Sequence, residues 1–119
     1  MSLDAYRRVQ TIASSPRATE YRLMSQITGE MINARDAGLS GGALAPALHR
    51  NRNVWGVFAS FCADSGNQLP PELRANIISL SLWVDRYTSE VLRGKADIDD
   101  LIDINRTIID GLAMEKAAA

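Results

Sequence analysis

The sequence predicts an all-α protein, a compact helical bundle of four main helices preceded by a short N-terminal helix. Leu73, Ile77, Leu80, Val84, Tyr87 and Val91 recur at spacings of 4, 3, 4, 3 and 4, which is one continuous apolar helix stripe. The prolines and most glycines fall where helices begin and end, although Gly29 lies inside a helix at a cost of roughly 1 kcal/mol relative to Ala. No segment alternates apolar and polar residues long enough to make a strand.

The elements follow in order. Leu3, Tyr6 and Val9, with Ile12 continuing the spacing of three, mark a short amphipathic helix ending near Ala13. Ser15-Pro16 restarts the chain, Ser15 as a cap and Pro16 at the first helical position, where its missing N–H leaves nothing unpaired. The helix from there runs to about Ala37, with Leu23, Ile27, Met31 and Ala34 inward, Met24 at the seam and Gly38 as the left-handed residue that ends it. A third helix extends from about Ala43 to Asp64, with Pro46 in its first turn and Leu44, Leu48, Trp55, Phe58 and Cys62 on one face.

Pro71 opens the helix that is expected to form the centre of the bundle, reaching Arg93, with Glu72 at its positive end and Gly94 closing it. Ile78 and Leu82 widen its stripe, while Trp83 is offset and reads as a second packing face or an exposed anchor. The last helix begins at Asp97, carries Ile98, Leu101, Ile102, Ile108, Ile109 and Leu112, and ends near Ala113, leaving 113–119 as a frayed tail. The whole of 1–119 is then a single helical domain. Asn76 and Asn105 lie inside apolar helices and need hydrogen-bond partners wherever they are buried.

Composition excludes several classes. The net charge of −1 offers no global attraction to nucleic acid or an anionic membrane. The distribution is uneven: residues 1–50 carry six Arg against four acids, and 97–110 carries five Asp against Arg106. No run of apolar residues is long enough for a membrane span, and Asp4, Arg7 and Arg8 interrupt any signal peptide. Together with the lone Cys62, this reads as a cytoplasmic protein.

Catalytic and metal chemistry find little material. His49 and Cys62 are the only residues of their types, and thirteen residues of helix separates them by roughly 20 Å, too far for a base and nucleophile. Asp97, Asp99, Asp100 and Asp103 lack the glycine and the bidentate glutamate of a calcium loop and suit a helix start instead. No phosphate loop is present. The chain therefore reads as a non-enzyme with no cofactor. Arg50 and Arg52 beside Trp55 could be a small RNA patch with a stacking ring, although Trp55 falls on the apolar face.

One stretch carries a resemblance. Pro71-Glu72-Leu73-Arg74-Ala75-Asn76-Ile77-Ile78-Ser79-Leu80, then Trp83-Val84, then Ile104-Asn105-Arg106 before Asp110-Gly111-Leu112, resembles the FlaF family of flagellar biosynthesis regulators. Ala5-Tyr6, Ser15-Pro16-Arg17 and Glu20 resemble the start of those proteins, so the likeness covers about Ala5 to Leu112. The resemblance implies a cytoplasmic, non-enzymatic protein that binds flagellin as a secretion chaperone and couples its synthesis to export and filament assembly. It also implies a link to the companion regulator FlbT. The alternative is a post-transcriptional regulator that contacts flagellin mRNA directly or acts only through FlbT. Candidate partner-binding residues are Leu3, Tyr6, Val9, Arg52, Trp83, Arg86 and Asn105. Leu3, Tyr6 and Val9 could form a detachable segment that lies over a helix groove.

Overall fold

The computed structural model describes residues 16–64, 66 and 70–118, with side chains described between 21 and 111. The expected N-terminal helix with Leu3, Tyr6 and Val9 lies outside the described residues. Four α-helices follow: α1 (Pro16–Asp36), α2 (Ala45–Ala63), α3 (Pro71–Leu92) and α4 (Asp99–Ala118). A 3-10 turn, Gly41–Leu44, leads into α2. No strand occurs among the described residues. The all-α bundle is the predicted class.

Local chemistry explains the boundaries. Gly38 and Gly94 both adopt positive φ, 76° and 74°, the conformation that ends a helix without a Cβ clash. At each, the next two amides turn back onto the last carbonyls: Gly38 to Arg35 and Leu39 to Ala34, Gly94 to Val91 and Lys95 to Glu90. The end of α2 is closed from outside. Arg74, in the first turns of α3, donates to the carbonyls of Cys62 (2.8 Å) and Asp64 (3.1 Å). Helix α4 starts two residues later than expected because Asp97 stays outside it and accepts the Asp99 N–H through Oδ1 at 3.0 Å. It then continues to Ala118, past the expected Ala113.

Neighbouring helices run antiparallel, and α1 packs on α2 and α4 while α2 packs on α1 and α3. The expected centre was the helix from Pro71; the structure instead puts α2 there, with Leu48, Trp55, Phe58 and Cys62 fully buried. The reason is that α3 and α4 stand farther apart than the other neighbours. Bulky, half-buried Leu80, Trp83, Tyr87 and Ile104 flank their seam. Trp55 and Phe58 pack as tilted rings, with centroids 6.5 Å apart. Two inward assignments are corrected. Met24 is fully buried and its neighbour Leu23 is 39% exposed, reversing the expected order. Leu82 does not widen the stripe of α3 but points outward, 61% exposed.

A polar node sits inside this apolar packing. Asn105 of α4 donates through Nδ2 to Asn51 Oδ1 (2.8 Å) and Thr28 Oγ1 (3.0 Å), and its Oδ1 accepts the Trp55 indole N–H (2.7 Å). Thr28 passes its own proton to the Met24 carbonyl at 2.6 Å. Asn105, Asn51 and Thr28 are buried, so each bond replaces one to water. Asn76, the other asparagine of concern, is exposed.

Asn105→Ala should therefore lower unfolding stability by about 2–4 kcal/mol, since it strands three buried polar groups. Asn76→Ala should stay within about 0.5 kcal/mol of the parent. Urea unfolding of both variants measures the contrast.

Candidate interaction surface

The residues expected to bind partners are distributed very differently by the fold. Arg52 is spent between helices: its Nη2 donates to the Asp85 carbonyl (2.9 Å) and Ser89 Oγ (3.0 Å), and its Nε lies 3.1 Å from Asp85 Oδ1. That last contact is an ion pair without hydrogen-bond alignment. Asn105 is interior. Trp83 is half-buried and stacks on Tyr87, with ring centroids 4.5 Å apart and planes at 19°. Arg86 is exposed. Trp55 is 1% exposed and its N–H is engaged, so it presents no stacking face beside Arg50 and Arg52. Arg50 itself pairs with Glu30 at 3.1 Å.

The carboxylates near the start of α4 are likewise engaged. Asp99 Oδ1 accepts from Arg35 Nη1 at 2.9 Å, and this pairing, with that to Asp36, makes the guanidinium still harder to deprotonate. Asp100 Oδ2 (2.6 Å) and the Asp97 carbonyl (2.9 Å) share the Tyr87 phenol proton. Burial, then that bond to Asp100, pushes the Tyr87 phenol up to about 12. No group of three or more His, Cys, Asp or Glu able to hold a metal occurs among the described residues. His49 is exposed, and Cys62 is buried.

What the surface does offer is an uncharged helix face. Between Arg52 and Asp64, α2 contains no charged residue at all. A helix that is uncharged all round belongs in an interior, yet Val57 is 52% and Phe61 45% exposed. Register places Leu23 beside them. Glu30 and Arg50 pair across the α1–α2 seam. Leu23 lies seven residues before Glu30, and Val57 seven after Arg50. Seven residues is about two turns, so both stay on the same flanks of their helices and come opposite one another. Phe61 is one turn farther along α2. Beside them, Gly56 is exposed and a Cβ there would meet nothing within 4 Å among the described residues. Ser60 keeps this strip small by turning its hydroxyl onto the Gly56 carbonyl at 3.0 Å.

Leu82 is more exposed than any of these but stands alone, with Ser79, Asp85 and Arg86 around it. The patch on α2 was missed because only the inward face of that helix was read. The signal was available in the uncharged run Asn53–Ala63, which leaves the outward positions without a charged side chain.

The class defined by this fold is a small all-α bundle, with an uncharged, partly apolar outer face on α2 among the described residues. The chain belongs to the FlaF family, matching the family model described as "Flagellar protein FlaF" over residues 2–112. No curated protein and no solved structure matches it. No helix among the described residues is long and apolar enough to cross a membrane.

The Tyr87 phenol gives a pH test. Because its folded pKa lies above the ordinary value of 10.0, the neutral form favours folding. That stability is complete below pH 10.0 and is lost as pH rises through about 12. Denaturant midpoints of the parent should fall over this window, and Tyr87→Phe should lack that component of the decline.

Proposed function

We propose that the protein is a non-enzymatic, cytoplasmic flagellar regulator that binds flagellin and keeps it competent for export, so coupling flagellin synthesis to filament assembly. The carrying observation is membership of the FlaF family across nearly the whole chain. The physical support is the uncharged outer face of α2, formed by Val57, Phe61 and small residues, with Leu23 across the seam. An amphipathic flagellin helix laid there would bury its apolar stripe against groups of matching character. Burial would hold that stripe away from other flagellin subunits until it is handed to the export apparatus.

The companion regulator FlbT enters as a second partner of this same protein. Direct recognition of flagellin mRNA has less support, because Arg50 and Arg52 are paired with acids and Trp55 is interior.

Titration calorimetry of the full chain with flagellin should give stoichiometric binding with a negative heat-capacity change. Val57→Asp and Phe61→Asp should each weaken it by about tenfold or more, roughly 1.4 kcal/mol, while circular dichroism stays helical. Undiminished affinity in both variants removes α2 as the docking face. Absence of any complex at tens of micromolar removes the flagellin reading, and binding to FlbT alone would put that protein in its place.

A further inference from the structure

We propose that the outer face of α2 is a contact between two copies of this chain, packed antiparallel about a two-fold axis that passes beside Gly56 and Val57. The first support is the spacing of charge. Arg50 lies seven residues before Val57 and Asp64 seven after it, and no charged residue stands between Arg52 and Asp64. Seven residues is about two turns, so Arg50, Val57 and Asp64 fall on nearly one line along the helix. A two-fold axis at the middle of that line sets Arg50 of each copy against the partner's Asp64. The face is complementary to itself in the antiparallel sense alone. A parallel pairing would set arginine against arginine and aspartate against aspartate.

Both charges are available. Arg50 meets Glu30 through Nε at 3.1 Å, yet its side chain is 63% exposed, and a guanidinium fork can serve two carboxylates. Asp64 is exposed and accepts the Gly66 N–H through Oδ1 at 2.9 Å, which leaves lone pairs for a further donor.

Shape agrees with charge. Asn53, Gly56, Val57 and Ser60 form the exposed strip between the two charges. The same axis lays Asn53 against the partner's Ser60. A Cβ on Gly56 would meet nothing within 4 Å among the described residues, and Ser60 turns its hydroxyl onto the Gly56 carbonyl, so a second helix can approach closely. Val57, 52% exposed, then meets its own counterpart, with Leu23 beside it across the α1–α2 seam. A shallow crossing keeps the end charges in reach. At about 20° the two axes separate by only about 4 Å over the ~10 Å from the centre to Arg50, which its long side chain spans.

A single helix face offers far fewer residues than the roughly 20–30 a side of a standard interface, so the dimer is weak and concentration-dependent. Its consequence rests on the proposed function: a flagellin helix would compete with the second copy for this face. The dimer itself is measured without flagellin, so either reading can fail alone.

Sedimentation equilibrium of the full chain from about 10 μM to about 1 mM should show the mass rising from that of one chain toward that of two. Arg50→Asp and Asp64→Arg should each weaken association by about tenfold or more. Mixed one to one, these two variants should associate as the parent does, because both Arg–Asp pairs are regained in the mixed dimer. Leu82→Asp, an exposed position on α3, should leave association unchanged. A single-chain mass at every concentration overturns the proposal. So does a mixture that regains nothing, or an equal loss in Leu82→Asp, which would put the contact elsewhere. If circular dichroism shows Arg50→Asp unfolded, Asp64→Arg against Leu82→Asp decides: loss in the first alone supports the contact, and any other result refutes it.

Discussion

The Asn105 side-chain amide sets the geometry that the rest of the bundle must satisfy. It stands in the core where α1, α2 and α4 converge, and it bonds to one residue of α1 and two of α2. An apolar core tolerates small slides of one helix along another, because dispersion contacts are non-directional. Three hydrogen bonds between 2.7 and 3.0 Å do not. A shift by one residue would move a partner by about 1.5 Å along the axis and leave buried donors facing carbon. The node therefore acts as a register pin. It is not fully satisfied: Asn51 Nδ2 has no hydrogen-bond partner among the described residues.

Around the node, arginines tie the helices at their edges. Arg35 joins α1 to Asp99 of α4, Arg50 joins α2 to Glu30 of α1, and Arg52 joins α2 to α3. Each is partly exposed, so water and salt screen its attraction. Their importance is directional rather than energetic. Of the three, the Arg35–Asp99 pair joins the Arg excess of residues 1–50 to the Asp excess of 97–110. The arginine best placed to look like a binding residue, Arg52, is the one most engaged within the fold.

Much of this was legible in the sequence, and the failures have physical causes. The helix limits at Pro16, Gly38, Pro71 and Gly94 could be read because proline and glycine constrain the backbone directly. The inward faces of α2 and α4 could be read because their apolar residues form one clean stripe. Leu23 and Met24 could not be ordered, since adjacent apolar residues differ by only 100° around the helix and tertiary packing decides between them. Thr28 and Thr88 were missed as buried residues because each hides its polarity by bonding to the carbonyl four residues back. Asn105 was recognised as needing partners, but a single sequence cannot say that these would be Thr28, Asn51 and Trp55. The candidate surface was least legible of all: its signal is charge that is missing, and periodicity records only charge and apolarity that are present.

Chain order gives the node another meaning. Its members on α1 and α2 emerge during synthesis well before Asn105, which lies 77 residues beyond Thr28. Until α4 is made, the Trp55 indole N–H and the Asn51 amide oxygen lack the partner that Asn105 supplies. The pairing of α1 with α2 is therefore completed in its polar interior by a residue that is made long after both helices.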